Sequence, residues 1–180
     1  KLGTALRALA SALGRTSAKS ALVCLDGVAP PGEDAEWSHT MLAEALESST
    51  YRYDDMRGTP PANGPTLETV EVLAADRDAA QTASDALTAG SALAAGLNLA
   101  KDLGNTPANI CTPTYLATAA RDLARTYQRL KTTVVEEKEM RELGMGALLS
   151  VGAGSNEPSK LVVMEYKGGP KGDAPHAIVG

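Results

Sequence analysis

The sequence predicts an α/β fold, and three observations carry that prediction. Short apolar runs have the length of buried strands, helical seams recur between them, and Gly/Pro clusters mark their borders. Leu2, Leu6, Leu9 and Leu13 recur at helical spacing from the outset, with no capping residue ahead of them. Ser20 to Leu25 is an apolar run of strand length, followed by a loop holding Asp26-Gly27 and Pro30-Pro31-Gly32. From Asp34 the period is helical again, with Trp37, Met41, Leu42, Ala45 and Leu46 on one face. Glu36, Glu44 and Glu47 fall off that face, and the helix is expected to reach Tyr51-Arg52-Tyr53. Arg57 to Pro65 reads as a surface loop, and Leu67 to Leu73 as a second strand. A helix between two short apolar strands implies partly parallel pairing.

Asp76 is placed to cap a long helix whose seam runs through Ala83, Leu87, Gly90, Ala94 and Leu97 to Leu103. At 1.5 Å per residue its length is on the order of 40 Å. It reads either as a core helix or as a helix joining two domains. Gly90 and Gly96 each weaken it by about 1 kcal/mol against Ala, which predicts a neighbouring backbone close to both. The loop from Asn105 ends at Thr112 and Pro113, an N-cap followed by proline at the first helical position. Asn105 and Asn109 are expected to satisfy backbone groups in that loop. A helix to about Gln128 should bury Leu116, Ala120, Leu123 and Tyr127. Strand Thr132–Val135, a short helix Glu136–Leu143 ending at Gly144, an apolar run Ala147–Val151 and strand Leu161–Tyr166 follow. After a turn, Ala177-Ile178-Val179 reads as the opening of a buried strand. A chain that begins inside a helix and ends inside a strand is expected to be a piece of a longer protein.

Composition excludes several classes. In 180 residues, 43% are hydrophobic and 22% charged, as in ordinary globular proteins. Aromatics are 3% with no Phe, so the core must be built from Ala, Leu and Val through close helix contacts. The net charge of −5, with Lys and Arg scattered, argues against a nucleic-acid face. Cys24 and Cys111 are too few for a disulfide framework and fit a reducing compartment. No apolar run approaches the roughly 18 residues of a membrane-spanning helix.

Residue chemistry alone yields no recognisable active site. His39 and His176 lie far apart, and neither cysteine has a histidine at ligand spacing, so a metal centre is not expected from these residues. Glu136, Glu137, Glu139 and Glu142 crowd one short helix and read as a solvated face beside its N-terminus. Gly152-Ala153-Gly154-Ser155 resembles a phosphate-cradling turn but lacks the rest of any such fingerprint, so a turn after a strand is the plainer reading. Cys111 as a nucleophile needs an oriented histidine, and Ser155 lacks the Gly-x-Ser-x-Gly context.

Three stretches in order nevertheless carry a resemblance. Asp102-Leu103-Gly104-Asn105-Thr106-Pro107-Ala108-Asn109-Ile110-Cys111-Thr112-Pro113 is similar to the junction before the catalytic domain of the leucyl aminopeptidases, the cytosol aminopeptidase family M17. Glu139 to Ser155 continues the match, and Leu161 to Gly168 followed by Ile178-Val179-Gly180 completes it. The resemblance is firm from about Ala100 onward and rests on element order before that.

That resemblance implies a division into residues 1–75, the remainder of an N-terminal α/β domain similar to macro domains; 76–104, a long linker helix; and 105–180, the start of a truncated catalytic α/β domain. It implies a metalloexopeptidase, a hydrolase releasing N-terminal amino acids, Leu preferred, from peptide substrates. Two divalent metal ions (Mn²⁺, Zn²⁺ or Mg²⁺) would polarise the scissile carbonyl and acidify a bridging water. It further implies a cytoplasmic homohexamer acting on peptides, while the net charge and the lack of a membrane-length apolar run argue against nucleic-acid and membrane partners. The family's metal ligands and catalytic residues would fall beyond Gly180, so no catalytic, cofactor-binding or metal position is assigned within the chain. Two other classes compete: a non-catalytic binding or oligomerisation module, and the DNA-binding role known for some bacterial members.

Overall fold

The computed structural model describes residues 2–25, 27–28, 32, 34–56, 58–59 and 66–180. The proline-rich loop predicted over Arg57 to Pro65, and Asp26, Pro30 and Pro31 of the earlier loop, fall largely or wholly outside the described residues. The chain divides into two compact units, Lys1–Asn105 and Thr106–Gly180. Both mix helix and strand, as an α/β sequence should.

Unit 1 begins with α1 (Leu2–Leu13), β1 (Ser20–Cys24), α2 (Ala35–Ser49), β2 (Thr69–Leu73) and α3 (Arg77–Asn105). β1 and β2 pair in parallel, Ser20 opposite Thr69 through Cys24 opposite Leu73. The Lys19 carbonyl accepts from the amides of Glu68 and Thr69 at 2.8 and 3.1 Å and so sets the register. The core is Leu6, Ala10, Val23, Leu42 and Ala45, flanked by Leu9, Met41, Val70, Val72 and Leu87. Small side chains dominate burial: Ala43, Ala83, Ala86 and Ala94 bring α2 and α3 together in place of the missing aromatics.

Local caps set the helix starts. The Asp34 carboxylate accepts from the Trp37 amide and the Asp76 carboxylate from the Ala79 amide, both at 2.8 Å. α2 stops at Ser49 rather than continuing through Tyr53. The Ser49 and Thr50 hydroxyls donate to the carbonyls of Leu46 and Glu47, competing with the helical amides for those acceptors. Glu44 is another departure: it is buried, at 5% exposure. Its side chain turns toward α1, where Arg7 Nη1 lies 3.6 Å from Oε2.

The two glycines of α3 differ. A Cβ at Gly90 would collide with the Thr40 carbonyl oxygen and stand 2.7 Å from Ala43 Cβ, so α2 does approach closely there. At Gly96 nothing lies within 4 Å, and the expected neighbour is missing. The buried seam is Ala83, Ala86, Gly90 and Ala94, whereas Leu97 is exposed. Asn105 closes the helix with its side chain, not by serving the loop backbone: Nδ2 donates to the Tyr51 hydroxyl at 3.0 Å.

Unit 2 contains α4 (Pro113–Thr126), β3 (Leu130–Glu136), α5 (Glu137–Glu142), α6 (Gly146–Gly152) and β4 (Lys160–Tyr166). β3 and β4 pair antiparallel, Leu130 opposite Tyr166 through Glu136 opposite Lys160. The Thr112 hydroxyl accepts from the Tyr115 amide at 3.3 Å, with Pro113 at the first helical position. α4 buries Ala117 and Ala120, not Leu116 or Tyr127, which are 42% and 57% exposed. The Thr132 hydroxyl donates to the Ala120 carbonyl at 2.9 Å, an approach of strand to helix that only the alanine face permits. α5 is followed by Leu143 and then Gly144, whose φ of +71° suits glycine, and the Met145 amide closes back on the Met140 carbonyl at 2.9 Å. The apolar run at 147–151 is helical, and Val151 is 85% exposed. Ala177 to Val179 forms no strand: Ile178 and Val179 are 98% and 94% exposed, with no pairing partner among the described residues.

Candidate functional site

The polar groups of unit 2 gather where β3 passes into α5. Glu136 ends β3 facing two cations: Arg121 Nη2 lies 3.6 Å from Oε1, and Lys160 Nζ hydrogen-bonds Oε2. The antiparallel register puts Lys160 directly opposite Glu136, and the Lys160 side chain is only 11% exposed. Glu137 begins α5 and turns back toward β4, accepting from the Ser159 amide at 2.8 Å through Oε1 and from Arg141 at 3.1 Å through Oε2. The Lys160 hydrogen bond lowers the Glu136 carboxyl below its ordinary value, helped by the charges of Lys160 and Arg121. The Ser159 amide does the same for Glu137, with Arg141 adding to it. The acidic run is therefore not merely a solvated face: Glu136 ties the end of β3, and Glu137 the start of α5, to the segment that opens β4.

Gly152-Ala153-Gly154-Ser155 follows a helix, not a strand. The segment lies at the C-terminal end of α6, where carbonyls rather than amides are exposed, the wrong polarity for a phosphate. Gly152 does have a packing reason, since a Cβ there would run into the Ser159 hydroxyl.

The remaining candidates stand apart. His39 is on α2, with Nδ1 2.6 Å from the Ala35 carbonyl, so that nitrogen carries the proton. His176 lies in the exposed segment after β4 and not at a strand start. Cys24 is exposed and Cys111 partly buried, both as free thiols. Among the described residues, no three His, Cys, Asp or Glu side chains could together hold a metal ion, and no helix is long and apolar enough to cross a membrane.

Unit 1 holds a polar feature that sequence reasoning missed, because Glu44 reads as a surface residue. Its carboxylate lines a cavity with Arg7, Ser48, Ser49 and Lys101. The Lys101 ammonium lies 4.8 Å from the centre of the Tyr51 ring. Partial burial raises the Tyr51 phenol above its ordinary value, with the neighbouring Asp102 adding to it.

Comparison with known proteins places this arrangement. Residues 98–180 match the catalytic domain of the cytosol aminopeptidase family, peptidase family M17. A probable cytosol aminopeptidase of Nitrosomonas europaea is 42% identical over 175 residues, covering 97% of this chain and 35% of that protein. One from Alkalilimnicola ehrlichii is 38% identical over 98% of the chain and 35% of its own length. Among solved structures, the bottromycin maturation enzyme BotP in complex with Mn is similar at a TM-score of 0.71 and 31% identity, over 93% of this chain and 34% of that one. A mutant of tomato leucine aminopeptidase shares the fold at a TM-score of 0.78 and 24% identity, over 94% and 34%. The chain thus spans about a third of the length of the curated relatives it matches. With that similarity running through both units, the chain belongs to the cytosol aminopeptidase family, M17.

Proposed function

We propose that the full-length protein is a metal-dependent aminopeptidase that removes N-terminal amino acids, Leu preferred, from peptides. The observation that carries this reading is the 42% identity to a probable cytosol aminopeptidase across 97% of the chain. Two divalent ions would supply the chemistry, acidifying a water and polarising the scissile carbonyl. Manganese is favoured over zinc by the Mn complex of BotP. The described residues do not fit such a centre, since they gather no set of three ligands, and no hydrolytic step is assigned to a side chain of this chain. The ligands would come from sequence following Gly180. The part residues 1–180 play is architectural: 1–75 as the remainder of an N-terminal domain, 76–104 as the helix linking it, and 105–180 as the start of the catalytic domain. A cytoplasmic homohexamer acting on peptides belongs to the same proposal.

The test compares residues 1–180 with the product of the full reading frame, each assayed on leucine p-nitroanilide with Mn²⁺. The longer protein should release nitroaniline and lose that activity to EDTA, while residues 1–180 stay at the buffer rate. Turnover by residues 1–180 would overturn the placement of the site, and an inactive, folded, metal-loaded longer protein would overturn the peptidase reading.

A further inference from the structure

We propose that the cavity formed by α1, α2 and α3 in unit 1 binds the zwitterionic head of a free α-amino acid. The cavity has a volume of about 420 Å³ and is lined by Arg7, Glu44, Ala45, Ser48, Ser49 and Lys101. That lies in the range of small-molecule sites, roughly 300–1,000 Å³. Its polar groups are unevenly satisfied. Glu44 Oε1 accepts from the Ser48 hydroxyl at 3.1 Å, but Oε2 is buried with no hydrogen bond. Arg7 Nη1, at 3.6 Å, is too far to donate to it. A buried carboxylate oxygen without a donor is costly and calls for one.

Charge selects the other end of the ligand. Lys101 donates to Asn98 Oδ1 at 3.0 Å and rests over the Tyr51 ring, whose hydroxyl end faces Asp102, a carboxylate outside the lining. Among the lining side chains alone, Arg7 and Lys101 against Glu44 leave one positive charge in excess. A carboxylate ligand balances that excess. A plain anion would still leave Glu44 Oε2 without a donor and would be repelled by it. A zwitterion satisfies both ends, its carboxylate lying toward Arg7 and Lys101 and its ammonium toward Glu44. The Ser48 and Ser49 hydroxyls donate to Glu44 and to the Leu46 carbonyl, and their lone pairs remain available to an ammonium. Glu44 Oε2 is covered in this conformation, so an ammonium reaches it only when a neighbouring side chain moves, and Arg7, 60% exposed and rotamer-rich, is free to do so. All six lining residues belong to unit 1, so the site stands whatever reaction the full-length protein catalyses.

The experiment is a titration of ¹⁵N-labelled protein in EDTA, followed by amide shifts, with L-alanine, propionate and L-alaninamide. L-Alanine should give saturable shifts centred on residues lining the cavity. Propionate lacks the ammonium and L-alaninamide the carboxylate, and each should bind about tenfold more weakly or worse. Lys101→Gln should weaken L-alanine binding by a similar factor, whereas Asp78→Asn, on α3 but outside the cavity, should leave it unchanged. Ser49→Ala is a milder second variant, expected to weaken binding severalfold if Lys101→Gln perturbs the fold by circular dichroism. Equal saturation by propionate, shifts mapping elsewhere, or no saturable shift at high millimolar L-alanine would each overturn the proposal.

Discussion

Gly90 and Gly96 sit on one helix six residues apart, and adding a methyl group to each should have opposite effects. At Gly90 the new Cβ meets the Thr40 carbonyl oxygen and Ala43 Cβ, and the Thr40 hydroxyl already binds the Ala86 carbonyl at 3.2 Å. α2 cannot retreat without losing that bond, so Gly90→Ala should destabilise unit 1 by about 1–3 kcal/mol as an overpacking change. At Gly96 the methyl enters open space, and Gly96→Ala should stabilise by about 0.5–1 kcal/mol through helix propensity alone. Urea unfolding monitored by circular dichroism decides the pair, and equal signs would mean the α2–α3 approach is misplaced. In unit 2, Thr112→Ala removes the acceptor for the Tyr115 amide and should reduce stability by about 1 kcal/mol. A melting curve unchanged by that substitution would show that the cap carries no weight.

Helix starts were legible because their signals are local. Asp34, Asp76 and Thr112 each cap an amide three residues on, and a carboxylate or hydroxyl before an apolar period needs no knowledge of the rest of the chain. Inward faces were less legible where alanine competes with leucine: α4 turns Ala117 and Ala120 inward, and β3 comes close enough there for the Thr132 hydroxyl to reach the Ala120 carbonyl. Glu44 reads as a surface residue because the packing of α1 against α2 that buries it is not a local signal. The role of Glu136 and Glu137 also needs the β3–β4 register, which composition does not contain. That junction makes unit 2 sensitive to acid. Both carboxyls titrate below their ordinary 4.5 in the folded chain, so the unfolded chain takes up protons first as pH falls. Their contribution is complete above about pH 5 and is lost as pH drops through 4.5 and then through the lowered folded values. The double variant Glu136→Gln, Glu137→Gln should be less stable at pH 7 and should show a flatter stability profile below pH 5. Parallel profiles for variant and parent would remove these carboxylates as the source.

At the scale of the molecule, the β1–β2 pair of unit 1 is, among the described residues, packed against helices on one face only. Parallel strands are usually covered on both faces, and a two-stranded sheet has little stability of its own. Here Val23, Val70 and Val72 face the helices, while Leu22, Cys24 and Leu73 share the opposite face with Ser20, Thr69 and Glu71. Leu22 and Leu73 are 65% and 50% exposed there. Because the chain spans about a third of its relatives, such a face is where further sequence would be expected to pack. Residues 1–180 by themselves should therefore associate through it as concentration rises, exposed leucines beside unpaired strand edges being the usual route. Sedimentation velocity over a concentration series should show growing species for the parent chain. The double variant Leu22→Lys, Leu73→Lys should stay monomeric, with unfolding free energy within about 0.5 kcal/mol of the parent, because neither side chain belongs to the core. A parent chain that is monomeric throughout the series, or a double variant that unfolds, would mean that this face is already closed within unit 1.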